Sequence, residues 1–196
     1  MPLVRRPTGG RAILHDNEVT FSLYLPLSKE ALNPLSLYLC LKEAWLKTLQ
    51  EIGLFPDSQS NPQRNYLSSP YCFSLNTTHE ITVKGKKIIG IAQVRAKRGV
   101  LFQGSFVISG NRKEIASCFL NHEKIEQELW SNFITLEELI SQPPGKEKII
   151  LLFLNHLASV LDVYWFEGKI NSDERKKAEE LFQTKYAPLS IYHVER

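Results

Sequence analysis

The strongest constraint on the fold lies in residues 80–109, where short β-prone runs alternate with glycine-containing turns. Ile81-Thr82-Val83 leads through Lys84-Gly85 into a second run from Lys87 to Val94. Another turn near residues 97–99 leads into Val100 to Ser109. Runs of this length, bounded by turn residues, are typical of strands joined as hairpins. The sequence therefore predicts an antiparallel meander here, and glycines inside its strands indicate close approach of a ligand or of backbone.

A further strand and several helices flank the meander. Residues 19–25 alternate between apolar and polar side chains, which predicts a strand with one buried face that ends at Pro26. Helix starts are indicated by Asn33-Pro34 and by two capping boxes, Thr135-x-x-Glu138 and Asn171-x-x-Glu174. We expect the last helix to bury Ala178, Leu181 and Phe182. The pattern predicts an α+β fold, a mostly antiparallel sheet with helices packed on it, in one domain spanning residues 1–196.

A second feature is the run Arg5-Arg6-Pro7-Thr8-Gly9-Gly10-Arg11-Ala12-Ile13-Leu14-His15-Asp16. Adjacent glycines let a ligand approach backbone N–H groups closely, and guanidinium groups suit a carboxylate, a phosphate or a polarised carbonyl. Ala12-Ile13-Leu14 predicts a short buried strand. A glycine turn whose arginines face water fits the same residues. His15 beside Asp16 could orient substrate, relay a proton or only cap a strand end.

Composition narrows the function classes. A net charge of +3 is too small to indicate nucleic-acid binding. Three widely spaced cysteines (Cys40, Cys72 and Cys118), without a Cys-x-x-Cys pair, fit a reducing, cytoplasmic location and exclude an all-cysteine zinc site. We expect no bound metal and no membrane-spanning helix, because no apolar run approaches about 20 residues.

Three motifs in order resemble the lipoate–protein ligase and octanoyltransferase family, which shares its fold with biotin–protein ligases. The first is the run from Arg5 to Asp16. The second is Glu80-Ile81-Thr82-Val83 with Gly85-Lys86-Lys87-Ile88-Ile89-Gly90-Ile91-Ala92-Gln93, and the third is Gly99 to Ser105. The C-terminal third fits more loosely. The family has further strands and a helix upstream of the first motif, so we expect a biotin/lipoate ligase-like catalytic domain that is N-terminally incomplete, lacking its first strands and helix.

The resemblance implies roles for particular residues. Cys72 matches the nucleophile of the cysteine-dependent octanoyltransferases, and Lys87 matches the lysine that contacts the acyl carbonyl. From the residues alone, Cys72 also fits a small buried hydrophobe after the polar loop of residues 56–70, and Lys87 a solvated turn charge. Further substrate-binding residues are expected at Arg6, Gly9, Gly10, Arg11, Ala12, His15, Gly90, Ala92, Gln93, Gly104 and Ser105. Gln103 stands where many relatives have histidine, so no acid–base role is carried to it.

The implied activity is transfer of an octanoyl or lipoyl group to a lysine of lipoyl domains, in lipoate biosynthesis and protein lipoylation. Octanoyl-acyl carrier protein would be the donor, Cys72 would carry the acyl thioester, and no cofactor would be needed. The expected acceptors are lipoyl domains of 2-oxoacid dehydrogenase complexes or the glycine cleavage H protein. An ATP- and Mg-dependent lipoate–protein ligase acting through lipoyl-adenylate, or a non-catalytic remnant that binds acyl carrier or lipoyl domain, remains an alternative.

A second basic cluster is expected at Arg95, Lys97, Arg98 and Arg112. Nucleic-acid binding would require interleaved aromatic residues and a larger net charge. A solvated hairpin end fits these residues, and within the resembled family the cluster could dock an acidic acyl carrier protein or lipoyl domain.

Overall fold

The structure is a computed structural model that describes residues 4–27, 33–58, 69–74 and 80–186. The chain divides into two compact units. The larger unit comprises Thr8–Val163, and the smaller one combines Met1–Pro7 with Tyr164–Arg196. The prediction of a single domain over residues 1–196 stays a prediction, and the two units are described separately below.

The larger unit is built on a four-stranded antiparallel sheet in the order β1-β4-β3-β2. Its strands are β1 (Glu18–Pro26), β2 (Ile81–Val83), β3 (Lys86–Ala96) and β4 (Gly99–Val107). The last three strands are joined in chain order by two hairpins, so the predicted meander is confirmed. The strand predicted at residues 19–25 pairs with β4 and ends at Pro26 as expected.

Helices flank the sheet. The larger unit contains α1 (Pro34–Glu51), α2 (Arg112–Ser117), α3 (His122–Asn132), α4 (Leu136–Leu139) and α5 (Lys146–Leu161). Asn33 caps α1, and the capping box predicted at Thr135 and Glu138 starts α4. The predicted α+β class is confirmed. Within the described residues, no helix is long and apolar enough to cross a membrane.

One face of the sheet packs against α1 and α5. Trp45 of α1 stacks on Phe153 of α5 with 4.1 Å between ring centroids, and Phe106 of β4 meets Trp45 edge-on. All three side chains are buried, so this face forms the main apolar core. A second buried cluster includes Tyr71, Phe73, the end of β4, and residues of α2 and α3.

A β-bulge controls which residues of β3 face each cluster. Thr82 pairs with Lys87 whereas Ile81 pairs with Ile89, so Ile88 is the extra residue. Ile88 and Ile89 both enter the main core. The extra residue reverses the alternation and brings the Lys87 side chain to the face of Gly90, where its Cε lies 3.6 Å from the ideal Cβ position of Gly90.

One sequence expectation is wrong, and another lies mostly outside the described residues. Ala12-Ile13-Leu14 is not a buried strand, because Ala12 is exposed and forms only an isolated bridge to Tyr71. The pairing goes no further because the segment that contains Tyr71 turns into a 3₁₀ helix at Cys72. Most of the polar loop, residues 59–68, lies outside the described residues.

The smaller unit contains α6 (Ser172–Leu181), which starts at the predicted capping box of Asn171 and Glu174 and runs into a π-helical turn, Phe182–Tyr186. The predicted inner stripe is wrong, because none of the described residues of α6 is buried and Phe182 is exposed. Apolar residues at helical spacing become buried only where another element packs against that side of the helix.

Candidate active site

Backbone hydrogen bonds tie Cys72 to the glycine-containing run. The amide of Cys72 donates to the carbonyl of Ala12 at 3.1 Å, and the amide of Ala12 donates to the carbonyl of Pro70 at 3.2 Å. Cys72 begins a 3₁₀ turn, Cys72–Ser74, and is half-buried with a free thiol. Within the larger unit, Ala12 of the first motif therefore lies beside the candidate nucleophile.

Lys87 lies beside Cys72 in a buried position. Its side chain is 2% exposed, and its Nζ lies 2.8 Å from Oε2 of Glu80. The same Nζ donates to the carbonyl of Cys72 at 3.4 Å and lies 5.3 Å from the ring centroid of Phe73. The interpretation of Lys87 as a solvated turn charge is therefore wrong, whereas Lys84 in the same turn is exposed.

Gly90 allows this arrangement. A Cβ at Gly90 would lie 3.0 Å from Cζ of Phe73, closer than side chains normally pack. In the next antiparallel pair on the same face, Ala92 lies opposite Gln103, whose side-chain oxygen accepts a hydrogen bond from the buried Thr8 hydroxyl at 2.9 Å. Gly90, Ala92 and Gln103 thus lie on the same face of the sheet as Lys87.

Two expected site residues face the other way. A Cβ at Gly104 would run into the ring of Phe21, which packs in the main core, and would lie 2.8 Å from the carbonyl of Gly90. Gln93 pairs with the buried Phe102, so strand alternation gives it the face opposite to Ala92. A glycine at position 104 lets the Phe21 ring and the Gly90 carbonyl approach closely. This glycine therefore serves packing in the structure and does not line an open pocket.

The glycine pair of the first motif is exposed. Gly10 has φ of 101°, a conformation that favours glycine, and the space around an added Cβ at Gly9 is open. Arg11 is half-buried. Arg6 belongs to the smaller unit, so its expected contact with the anionic end of a substrate stays a prediction.

A buried carboxylate forms a second polar group on this face. Glu18 is 8% exposed and accepts hydrogen bonds from Nδ1 of His15, from the Thr20 hydroxyl at 2.6 Å and from the Ser105 hydroxyl. Ser105 lies directly opposite Gly90 in the β3–β4 pair. The hydrogen-bond network of Glu18 therefore lies beside Gly90, on the same face of the sheet as Lys87.

Tyr71 links the two polar groups electrostatically. Burial raises the pKa of the Tyr71 phenol, and the nearby Glu18, Cys72 and Cys118 raise it further. One phenol thus lies within electrostatic reach of both the Glu18 carboxylate and the Cys72 thiol. Its raised pKa keeps the Tyr71 phenol neutral even well above physiological pH.

The second basic cluster does not include Arg112. Arg112 is buried, donates to the carbonyl of Phe133 and to Glu138 at 2.8 Å, and stacks on Trp130. Burial raises the pKa of Glu138, but hydrogen bonds from Arg112 and Thr135 outweigh it, so the pKa is lowered overall. Arg95, Lys97 and Arg98 do form an exposed group at the end of the β3–β4 hairpin.

Glu18, Glu80 and Thr8 were not predicted as site residues from the sequence. Extending the alternation of β1 by one position would have placed Glu18 on the face of Thr20, and Glu80 begins the second motif. Within the described ranges, no group of three His, Cys, Asp or Glu side chains is arranged to hold a metal ion.

Comparison with known proteins identifies the family. The model of the lipoyl protein ligase A/B catalytic domain matches residues 1–158. Octanoyltransferase LipM of Brevibacillus brevis is 30% identical over 197 residues, covering 94% of this chain and 71% of that protein. Octanoyltransferase LipM of an Exiguobacterium species is 38% identical over 141 residues, covering 68% of this chain and 51% of that protein.

Solved structures agree on the fold. A putative lipoate protein ligase from T. acidophilum with bound lipoic acid superimposes with a TM-score of 0.74 at 21% identity, covering 94% of this chain and 69% of that one. A lipoate-protein ligase A bound with ATP gives the same TM-score at 22% identity, with the same coverage. The match spans the three motifs and most of the larger unit, and the chain belongs to the lipoyl protein ligase A/B catalytic domain family.

Proposed function

We propose that the protein is an octanoyltransferase that moves an octanoyl group from octanoyl-acyl carrier protein to a lysine of a lipoyl domain. The observation that carries the proposal is the hydrogen bond from Nζ of Lys87 to the carbonyl of Cys72, which brings a buried cation next to the residue with the candidate thiol. Similarity to octanoyltransferases named LipM supports the same reaction.

The geometry suits covalent catalysis in two steps. The Cys72 thiol gives up its proton and attacks the thioester carbon of the donor, the carbon–sulfur bond to the donor breaks, and the donor leaves as a thiol. Lys87 supplies positive charge for the oxyanion: among the described residues, Glu80 and the Cys72 carbonyl take two of its N–H groups, and we assign the third to the acyl oxygen. The lysine of the lipoyl domain then displaces Cys72 and forms the amide.

The Lys87 face of the sheet is where the acyl chain would bind. Gly90 accommodates Phe73 beside Lys87, Ala92 presents a short side chain on the same face, and the Thr8 hydrogen bond holds Gln103 opposite Ala92. We assign substrate contacts to these positions and to Gly9, Gly10, Arg11, Ala12, His15 and Ser105; Arg6, Gln93 and Gly104 are assigned only through the family motif. The proposal includes a cytoplasmic location and no cofactor.

The second candidate is an ATP-dependent lipoate–protein ligase. The exposed Gly9-Gly10 pair, with Gly10 at positive φ, favours it, because such backbone can hold a phosphate closely. Arg11 would add charge, and Mg²⁺ would have to arrive with the nucleotide. ATP dependence distinguishes this activity from the transferase.

The test incubates the protein with an apo lipoyl domain and either octanoyl-acyl carrier protein alone or lipoate with ATP and Mg²⁺. The mass of the lipoyl domain is the readout. Modification by the first mixture supports the transferase, and modification by the second mixture alone supports the ligase. An unmodified lipoyl domain in both mixtures overturns both activities and favours a binding protein without turnover.

A further inference from the structure

The arrangement around Glu18 carries an inference that rests on the proposed function. Glu18 is nearly buried, and three side-chain donors, two from its own segment and one from β4, converge on its carboxylate. His15 and Thr20 bind one oxygen, and Ser105 binds the other. A buried carboxylate needs such partners, and here one of them is a histidine whose side chain is 57% exposed.

The hydrogen bond fixes the tautomer of His15. A carboxylate only accepts hydrogen bonds, so Nδ1 of His15 carries a proton and donates it to Oε1 of Glu18. In the neutral ring, Nε2 then holds a lone pair. An imidazole held by a buried carboxylate through one nitrogen, with the other nitrogen left to accept a proton, is the arrangement that enzymes use for a general base.

The position of this pair fits the second half of the proposed reaction. Ser105, which binds Glu18, lies opposite Gly90, and Gly90 contacts Phe73 and Lys87. His15 follows Ala12 by three residues, and Ala12 is hydrogen bonded to Cys72. The acceptor lysine is carried by a folded domain and must arrive from solvent, so its base has to be exposed, as His15 is.

We propose that His15 is the base that deprotonates the acceptor lysine, and that Glu18 is the positioning residue that orients His15. The lysine ammonium gives one proton to Nε2 of His15, and the neutral amine attacks the acyl carbon on Cys72. The carbon–nitrogen bond forms, the carbon–sulfur bond breaks, and the departing thiolate takes the second proton from nitrogen. His15 releases its proton to solvent.

Several titratable groups surround the His15–Glu18 pair. Asp16 follows His15 in the chain, Tyr71 lies near Glu18 in the segment before the 3₁₀ turn, and Glu114 of α2 lines the small cavity of about 20 Å³ that Glu18 and Asp16 also line. Cys72 is acylated in this step and carries no proton.

The experiment isolates the second step. The acyl-enzyme is prepared with octanoyl-acyl carrier protein, the excess donor is removed, and transfer to an apo lipoyl domain is followed by intact mass between pH 5.5 and 9. We expect His15→Ala to slow transfer about 100-fold and to change the wild-type dependence of the rate on pH. Added imidazole should restore part of the rate, which it would not do for a purely structural residue.

Further variants separate position from fold. Glu18→Gln should slow transfer and shift the pH profile, because the amide can present its N–H group to His15 and favour the wrong tautomer. Glu18→Asp should recover part of the rate, and Asp16→Asn, at an exposed neighbouring carboxylate, should match the wild type. If Glu18→Gln does not fold, the exposed His15 variant with imidazole rescue decides alone.

The outcomes are distinguishable. If the wild type forms no acyl-enzyme, the proposed function fails and this inference fails with it. If the acyl-enzyme forms and His15→Ala transfers at the wild-type rate with the wild-type pH profile, only the inference about His15 and Glu18 is overturned.

Discussion

The buried ion pair between Lys87 and Glu80 gives a prediction whose size follows from burial. The two side chains are 2% and 10% exposed, and the charged atoms are 2.8 Å apart. Removing one partner takes the opposite charge away from a buried side chain, so we expect Lys87→Met and Glu80→Gln each to lower the free energy of unfolding by about 3 kcal/mol. The double variant removes both charges and should cost no more than either single variant.

Urea unfolding of the wild type, both single variants and the double variant measures this coupling, which we expect to be about 3 kcal/mol. Lys47 and Glu43 form a matched control, since they are 2.9 Å apart but 43% and 55% exposed. The same cycle there should give no more than about 0.5 kcal/mol. If the two buried single variants add to within about 0.5 kcal/mol, the pair is not coupled and the reasoning is refuted.

Other positions give further predictions. Gly90→Ala places a Cβ 3.0 Å from the facing phenylalanine ring and should cost about 1–3 kcal/mol in urea unfolding, whereas Gly9→Ala, with open space around it, should cost little. The lowered pKa of Glu138 stabilises the fold above the ordinary carboxyl range, so the deficit of Glu138→Gln in thermal unfolding should be full at pH 7 and shrink as pH falls below about 4; a constant deficit would contradict this. Charge reversal at the exposed Arg95 and Arg98 should slow transfer and weaken its salt dependence, and unchanged kinetics would exclude docking of an acidic partner there.

The sheet was predictable because its signals are local. The turn at Lys84-Gly85, the alternation in β1 and the Asn33 cap each act within a few residues, and each holds in the structure. The bulge at Ile88 was not predictable in this way, since an extra residue in a run of isoleucines leaves no gap in hydrophobicity. It nevertheless decides that Lys87 is buried on the Gly90 face.

The candidate site was only partly visible in the sequence. The motifs pointed to Cys72 and Lys87, and the position of Cys72 depends on pairing Ala12 with Tyr71, which are far apart in the sequence. Glycine was an ambiguous signal: Gly90 makes room beside Lys87, whereas Gly104 makes room for Phe21 in the main core. Glu18 was missed because a carboxylate at a strand start usually indicates solvent, and only the tertiary structure brings Ser105 and His15 to it.

The central claim is that Cys72 carries the acyl group, and the intact mass of the protein after incubation with octanoyl-acyl carrier protein tests it most directly. We expect an octanoyl adduct on the wild type that is lost in Cys72→Ala. Cys118→Ala, which removes an exposed free thiol, should keep the adduct. An adduct that persists in Cys72→Ala, or a wild type that stays unmodified while the lipoyl domain becomes octanoylated, would contradict the account.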